Sequence, residues 1–488
     1  MRTLPDFWFE PHLWIDGHWV PSSDTVDLVN PATGAPLARV SLASPSHLER
    51  AICGAAGAQA TWSETSAFER GDILKRTAKI LLEQKDRFAR LLTAEQGKPY
   101  AQAVGEVEYA ASFFQWFGEQ ARRICGRIAP HPDPKREYFV EQRPVGVAGL
   151  ITPWNFPLAQ GAKKIAAALA AGCTAVWKPA ERTPLIALAM APILTEAGVP
   201  KGVVQIVPGV GNVLGKPLAE HPDIRVLSLT GSTQTGATLL AHAAKGIKRV
   251  ALELGGNAPF VVLPDADLDQ VADQLVRLKL FVSGQVCVTA NRVFVHRDSE
   301  EELLERLVTR IEAARIGNGL EDGIDAGPLI HDAACRAVGS LVSDAVEQGA
   351  IISAQNKSFE RDQDLQNGSF FPATILTRVT DSMRVARQEI FGPVIPLLAY
   401  THVRDAIARA NETPYGLAAY LYGSDLSACR AIAGQLQVGI VGINEWRPLR
   451  AEIPFGGVKQ SGFGAEGGEE GLREFLATQV ISAPRPSI

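Results

Sequence analysis

A glycine shortly before a cysteine lets the backbone approach a ligand closely and irregularly, and Phe281-Val282-Ser283-Gly284-Gln285-Val286-Cys287 has that form. Cys287 has two readings. Most isolated cysteines are small buried hydrophobes. The other reading is reactive, and it needs a base, an oxyanion donor and an electron acceptor nearby. Residues of those types stand in four polar loops upstream: Thr152-Pro153-Trp154-Asn155-Phe156-Pro157, Lys178-Pro179-Ala180-Glu181, Thr230-Gly231-Ser232-Thr233-Gln234-Thr235-Gly236 and Glu253-Leu254-Gly255-Gly256. The remaining cysteines, Cys53, Cys125, Cys173, Cys335 and Cys429, scatter without a CxxC pair, which is neither a disulfide framework nor a zinc knuckle. The nine histidines show no HxxxH spacing, so no metal site is expected.

The elements that must position these loops are short apolar runs. GVAGLI, CTAVWK, RVLSL and RVALEL each end at one of them, and VVQIV lies between the second and third. Helical patterns over 158–171, 184–198, 212–219 and 233–244 separate the runs. Strands alternating with helices predict a parallel sheet covered on both faces. Ligands of such sheets bind beyond the carboxyl ends of the strands, and that edge is where all four loops would open. Each loop alone could be an ordinary turn; together they read as a nucleotide site. Glu181 lies about 25 residues after the first loop, where an acid would hold a ribose hydroxyl. Gly231-Ser232 at a strand-to-helix junction would offer N–H groups and a hydroxyl to phosphate. No GxGxxG is present, and Gly231 and Gly236 are five apart, so an ordinary Rossmann fingerprint is missing.

The chain of 488 residues has room for about three domains. With 46% hydrophobic and 21% charged residues, wholesale disorder, collagen and coiled coil are excluded. A formal charge of −5 gives no electrostatic footprint for nucleic acid or an anionic membrane. The start MRTLPDFWFEPH lacks a signal-peptide pattern, and the longest apolar stretch, 165–177, is too short to span a bilayer, so a cytoplasmic protein is expected. Residues 1–45 read as short strands and turns. From 46 to 127 the pattern is helical, with 69–97 ending at a Gly97 C-cap. REYFVEQR, between Pro130 and Pro144, alternates as an exposed strand with no evident partner, and so does the terminal EFLATQVIS; a partner in another subunit is expected. A second α/β unit runs from about Glu253 to Phe455.

In this order and spacing, PWNFP (153–157), KPAE (178–181), TGSTQTG (230–236), ELGG (253–256), GQVC (284–287), EIFGP (389–393) and PFGG (454–457) resemble the aldehyde dehydrogenase superfamily over nearly the whole chain. KKIAAALAAGCTAVWKPAE and ELGGNAPFVVLPDADLD are most similar to succinate semialdehyde dehydrogenases. The resemblance implies an α/β fold with three parts: a Rossmann-type cofactor domain (1–127 and 147–253), an α/β catalytic domain (254–455) and a small oligomerisation β-extension (128–146 and 468–488). It implies that the Cys287 thiolate attacks an aldehyde. The Asn155 amide and the Cys287 N–H would hold the thiohemiacetal oxyanion. Hydride transfer to nicotinamide would leave a thioester, which Glu253 hydrolyses by activating water. Lys178 and Glu181 are implied for cofactor ribose hydroxyls, Glu389 for the nicotinamide ribose, Ser232 for the pyrophosphate and Phe391 beside the nicotinamide. Thr152, Pro153, Trp154, Gly211, Gly231 and Leu254 complete the expected cofactor site.

Glu181 favours NAD over NADP, because a carboxylate bonds free ribose hydroxyls and repels a 2′-phosphate. Arg182 beside it softens that repulsion and leaves NADP open as a second cofactor. Succinate semialdehyde dehydrogenases carry arginines at the positions of Lys163 and Phe281, a serine near Leu449 and often a second cysteine at Thr289, and this chain departs at all four. Lys163 keeps a charge without the bidentate fork. Arg447 and Arg450 lie in the loop implied to line the substrate tunnel and are the alternative anion ligands. The expected substrate is a small-molecule aldehyde bearing a distal acid or an aromatic ring. Succinate semialdehyde dehydrogenase proper is one alternative. Acyl transfer to CoA or phosphate is another, which Glu253 argues against. A catalytically inactive binding protein on the same fold is the third. The implied assembly is a homodimer or homotetramer.

Overall fold

The computed structural model describes residues 2, 6–358 and 363–486. Its larger sheet has a parallel centre in the order Arg249–Glu253, Ile224–Thr230, Val147–Ile151, Ala175–Lys178, Val204–Ile206. These are the apolar runs of the alternating region, and almost every residue in them is buried, as a sheet covered on both faces requires. The register pairs Ile151 with Lys178 and Leu229, and Thr230 with Glu253, so the four polar loops leave one edge side by side. The chain builds outwards from Val147–Ile151 in one direction and then restarts on its other side with Ile224–Thr230. That reversal creates a crevice at the strand ends.

Helix Pro157–Ala171 is buried along its whole length and ends at Gly172, which is left-handed (φ 94°). It packs against helices Ala67–Glu83 and Tyr100–Gln120. The pattern over 69–97 proves to be two helices, Ala67–Glu83 and Lys85–Gln96, separated at Gln84; Gly97 caps the second with φ 95° and donates its N–H to Thr93. The 184–198 pattern likewise divides into Pro184–Leu188 and Met190–Glu196.

A second sheet runs Ile351–Asn356, Ala373–Thr377, Val394–Tyr400, Ala290–His296, Ala258–Val262, Ala418–Tyr422, Ile440–Ile443, parallel except for its first pair. The chain then returns to the larger sheet. Gly462–Phe463 pairs antiparallel with Leu252 and Glu253, a return that periodicity did not announce.

The exposed strand expected to lack a partner is the centre of a third sheet. Arg136–Pro144 pairs along its length with Leu476–Pro484 and, on its other side, with Arg127–Pro130. The first partner is therefore the chain's own terminus. Alternation reveals which face is exposed, but not a pairing across more than 300 residues. The outer strands remain open edges, with Ile128 and Val480 63% and 60% exposed.

Candidate active site

The turn before Cys287 holds three successive left-handed residues: Val282 (φ 49°), Ser283 (φ 54°) and Gly284 (φ 73°). For a β-branched residue this conformation is costly and persists only when its surroundings impose it. Here the Val282 N–H donates to Gln102 Oε1 (2.8 Å), Ser283 Oγ donates to the Gly327 carbonyl (2.7 Å), and Gln285 Oε1 accepts from the Ile330 N–H (2.9 Å). A Cβ on Gly284 would lie 2.2 Å from the Gly392 carbonyl, and one on Gly256 would lie 2.4 Å from the Cys287 carbonyl. The glycines thus let three loops converge on the half-buried Cys287. Burial pushes its thiol up to about 12; Glu389 adds to the rise, and Lys163 opposes it.

Asn155 is buried beneath this loop. Its Nδ2 donates to the Gln285 carbonyl (2.9 Å), while Oδ1 has no partner. Lys98 Nζ donates to the Asn155 carbonyl (2.7 Å) and forms a buried ion pair with Glu106. Glu106 Oε1 in turn accepts from the Leu158 and Ala159 N–H groups (3.0 and 3.1 Å), closing the start of helix Pro157–Ala171. Lys98 and Glu106 escaped the sequence reading, because a charged residue in a loop or on a mostly apolar helix carries no mark of its partner.

Glu253 ends its strand with both carboxylate oxygens buried and unpartnered. Burial holds its carboxyl well above the usual range; Glu466 adds to this, and Lys163 and Lys164 pull the other way. Glu466 is a further missed residue. Burial alone would raise its carboxyl, but ion pairs with Lys163 and Lys164 outweigh that and hold it ionised. The same pairing keeps Lys163 charged despite its burial.

A partly open cavity of about 80 Å³ reaches Cys287. Phe156, Phe281, Trp446, Leu449 and Phe455 wall it, and Tyr109, Gln160, Lys163 and Arg447 are its polar members. The Arg447 guanidinium lies 5.3 Å from the Phe281 ring centroid. Phe281, Trp446 and Arg447 also border an open groove that leads outwards. Arg450, expected beside Arg447, does not line the cavity; its Nη1 donates to the Leu449 and Arg447 carbonyls (2.8 and 3.2 Å). Lys163 does line it, but its ammonium is taken by Glu466 and sits 4.2 Å over the Phe455 ring.

The remaining expected residues border the crevice at the strand ends. The Thr152 hydroxyl accepts from Trp177 Nε1 (2.8 Å), anchoring the loop in which Pro153 and Trp154 are half-buried. Trp154 meets Phe391 edge-on at 5.5 Å, and Phe391 is itself left-handed (φ 53°). Glu389 Oε1 accepts from the Gly256 N–H (3.2 Å), and burial raises its carboxyl to about 7. Lys178 is buried with its amine 3.5 Å from Glu181 Oε2, while Glu181 is 37% exposed. Gly231 donates to the Glu253 carbonyl (2.9 Å), and Ser232 caps helix Thr233–Ala244 by accepting from the Thr235 N–H (3.2 Å). Gly211 opens helix Gly211–Glu220 with nothing within 4 Å of where a Cβ would stand. Leu254 packs under Gly236. Two helix N-termini, a buried amine with spare donors and an exposed carboxylate on one crevice suit a dinucleotide's phosphates and ribose hydroxyls.

The model of the aldehyde dehydrogenase family matches residues 19–481. Among curated relatives, the 3-sulfolactaldehyde dehydrogenase of Pseudomonas putida is 42% identical, with 96% of each chain covered. The succinate-semialdehyde dehydrogenase (NADP(+)) GabD of Escherichia coli K12 is 42% identical, covering 97% of this chain and 98% of its own. Among solved structures, an aldehyde dehydrogenase from Brucella melitensis biovar abortus superposes with a TM-score of 0.96 at 41% identity, covering 100% of both chains.

Proposed function

Because this chain belongs to the aldehyde dehydrogenase family and is an NAD(P)-dependent oxidoreductase acting on aldehydes, we propose that Cys287, Asn155 and Glu253 are its catalytic groups. Cys287 Sγ bonds to the aldehyde carbon after its proton has passed to a base. The new oxyanion is met by the Asn155 amide and the Cys287 N–H. Both atoms sit at the convergence of the three loops, in a site shielded from water, where such donors act most strongly. The nicotinamide, when bound, supplies the hydride acceptor that turns the thiohemiacetal into a thioester. Glu253 then takes a proton from water, the hydroxide oxygen bonds to the thioester carbon, the C–S bond breaks, and the carboxylic acid leaves. The observation that carries this reading is the Glu253 carboxyl: buried, with neither oxygen hydrogen-bonded. Cys287→Ser tests it. NADH formation is expected to fall at least about 10³-fold with the fold intact; retained turnover overturns the assignment.

Lys178, Glu181, Gly211, Gly231, Ser232, Leu254, Glu389 and Phe391, with the 152–154 loop, would hold the cofactor. Glu181 at the crevice mouth supports a preference for NAD over NADP.

The substrate reading is a short aldehyde with a distal anion. The cavity is small, and Arg447 is the cation on its wall not claimed by an internal carboxylate. The relatives' names, a sulfolactaldehyde and a succinate semialdehyde dehydrogenase, fit the same class. The open edges of the three-stranded sheet support a homodimer or homotetramer. Among the described residues, no helix is long and apolar enough to cross a membrane, which is compatible with the cytoplasmic placement proposed here.

A further inference from the structure

Of the four polar side chains that line the cavity at Cys287, two are already held by the protein. Gln160 Oε1 accepts from the Thr230 hydroxyl (3.4 Å), and the Lys163 ammonium pairs with Glu466. The other two are Tyr109 and Arg447. Among the described residues, neither the Tyr109 hydroxyl nor the Arg447 guanidinium has a hydrogen bond or an ion pair.

Helix Tyr100–Gln120 brings these two groups together. Gly105 and Tyr109 are one turn apart on the same face of that helix. A Cβ at Gly105 would lie 3.9 Å from both Nη atoms of Arg447, so the guanidinium rests on this face, one turn before the tyrosine. It also lies 5.3 Å from the Phe281 ring centroid. A guanidinium packed on an aromatic ring keeps the N–H donors in its own plane for a ligand. The Tyr109 ring packs on Phe113, with centroids 4.7 Å apart. Burial raises the phenol, which keeps its hydroxyl protonated and able to donate. Arg447 borders both the cavity and the outer groove, whereas Tyr109 borders the cavity alone. Arg447 therefore stands at the mouth, with Tyr109 on its inner side.

We propose that Tyr109 is a specificity-determining residue: its hydroxyl and the Arg447 guanidinium together hold the distal carboxylate of a short aldehyde whose reacting carbon is at Cys287. This deepens the substrate reading above and rests on it. An ionised carboxylate accepts and never donates, and it has two oxygens to satisfy. Arg447 supplies the charge, and Tyr109 supplies a neutral donor whose direction the packed ring fixes. Both bonds are charge-assisted, and the apolar remainder of the wall leaves the anion no other protein partner. A neutral aldehyde uses neither donor, so the pair discriminates against it.

The test compares wild type, Tyr109→Phe, Arg447→Ala and the double variant, with succinate semialdehyde as the acidic substrate and propanal as the neutral one. Tyr109→Phe removes one oxygen and keeps the ring on Phe113, so the fold is retained. It is expected to raise KM for succinate semialdehyde about tenfold, the loss of one hydrogen bond to a charged group. Its kcat with that substrate is expected to stay within about twofold, and KM for propanal to stay nearly unchanged. The inhibition constant of succinate against propanal oxidation is expected to rise in parallel. Because the two side chains hold one anion, the double variant is expected to raise KM by less than the product of the single effects. Equal changes of KM with both aldehydes overturn the role of Tyr109, and effects that simply multiply overturn the shared hold. If Tyr109→Phe is silent while Arg447→Ala raises KM for succinate semialdehyde alone, the proposal falls and the distal-anion reading stands. If neither substitution changes that KM, the distal-anion reading itself falls.

Discussion

Lys98 donates its ammonium proton to the main-chain carbonyl of Asn155 at 2.7 Å, so an ion pair between the loop before helix Tyr100–Gln120 and that helix supports the proposed oxyanion donor. Its partner Glu106 caps helix Pro157–Ala171 through two N–H groups, and the contacts together fix the helix end of the turn that carries Asn155.

Removing one member of this pair leaves the other charged and buried. Lys98→Met is therefore expected to destabilise the fold by about 3–5 kcal/mol, because the loss includes the uncompensated charge. Denaturant unfolding checks it. A loss under about 1 kcal/mol, the range of a surface pair, would contradict the burial argument.

Arg447 and Arg450 separate by the same logic. Arg447 lines the cavity, whereas Arg450 is turned onto the Leu449 and Arg447 carbonyls. Arg447→Ala is expected to raise KM for succinate semialdehyde about tenfold or more while leaving propanal nearly unchanged, since a charge-assisted contact is lost only for the acidic substrate. Arg450→Ala is expected to leave both within about twofold. Equal effects of the two substitutions would remove Arg447 from the anion site.

Glu181 is exposed enough to meet a ligand and is only loosely tied to Lys178 at 3.5 Å. Its charge opposes a 2′-phosphate, so Glu181→Ser is expected to shift the NADP-to-NAD ratio of kcat/KM upwards by about tenfold, one screened charge contact. Paired specificity constants measure it. A wild-type enzyme that already favours NADP would end the reading.

What the sequence made legible was local. Apolar runs ending in polar loops gave the strand edge, and the Thr233–Ala244 helix lies where the helical pattern put it. Gly284 and Cys287 were legible because a chain turning this sharply needs glycine. Most of the missing pieces are long-range. Glu466 reaches Lys163 and Lys164 across about 300 residues, and only because Gly462–Phe463 returns to pair with Glu253's strand. Lys163 read as a charge facing the substrate; its burial, and that of Lys164, is compensated by one distant carboxylate that no periodicity can reveal. The partner of Arg136–Pro144 was hidden for the same reason.

The pH dependence follows from which protonation state each group needs. Cys287 must be a thiolate, and burial with Glu389 nearby pushes its thiol up to about 12. Glu253 must be ionised to take a proton from water, and burial holds it well above the usual carboxylate range. Both shifts are upward and both active forms are the deprotonated ones, so acid removes activity and alkali restores it. Glu389, raised to about 7, ionises over the same interval and gains acceptor strength towards a ribose hydroxyl. We expect kcat/KM to climb from pH 6 to pH 9, by up to about tenfold per unit where a single deprotonation governs it. Alkylation of Cys287 by iodoacetamide in the cofactor-free protein should rise in parallel, because the thiolate is the reacting form. An alkylation rate that is flat over this range would show that the thiol is already ionised and that Lys163 outweighs burial at this sulfur.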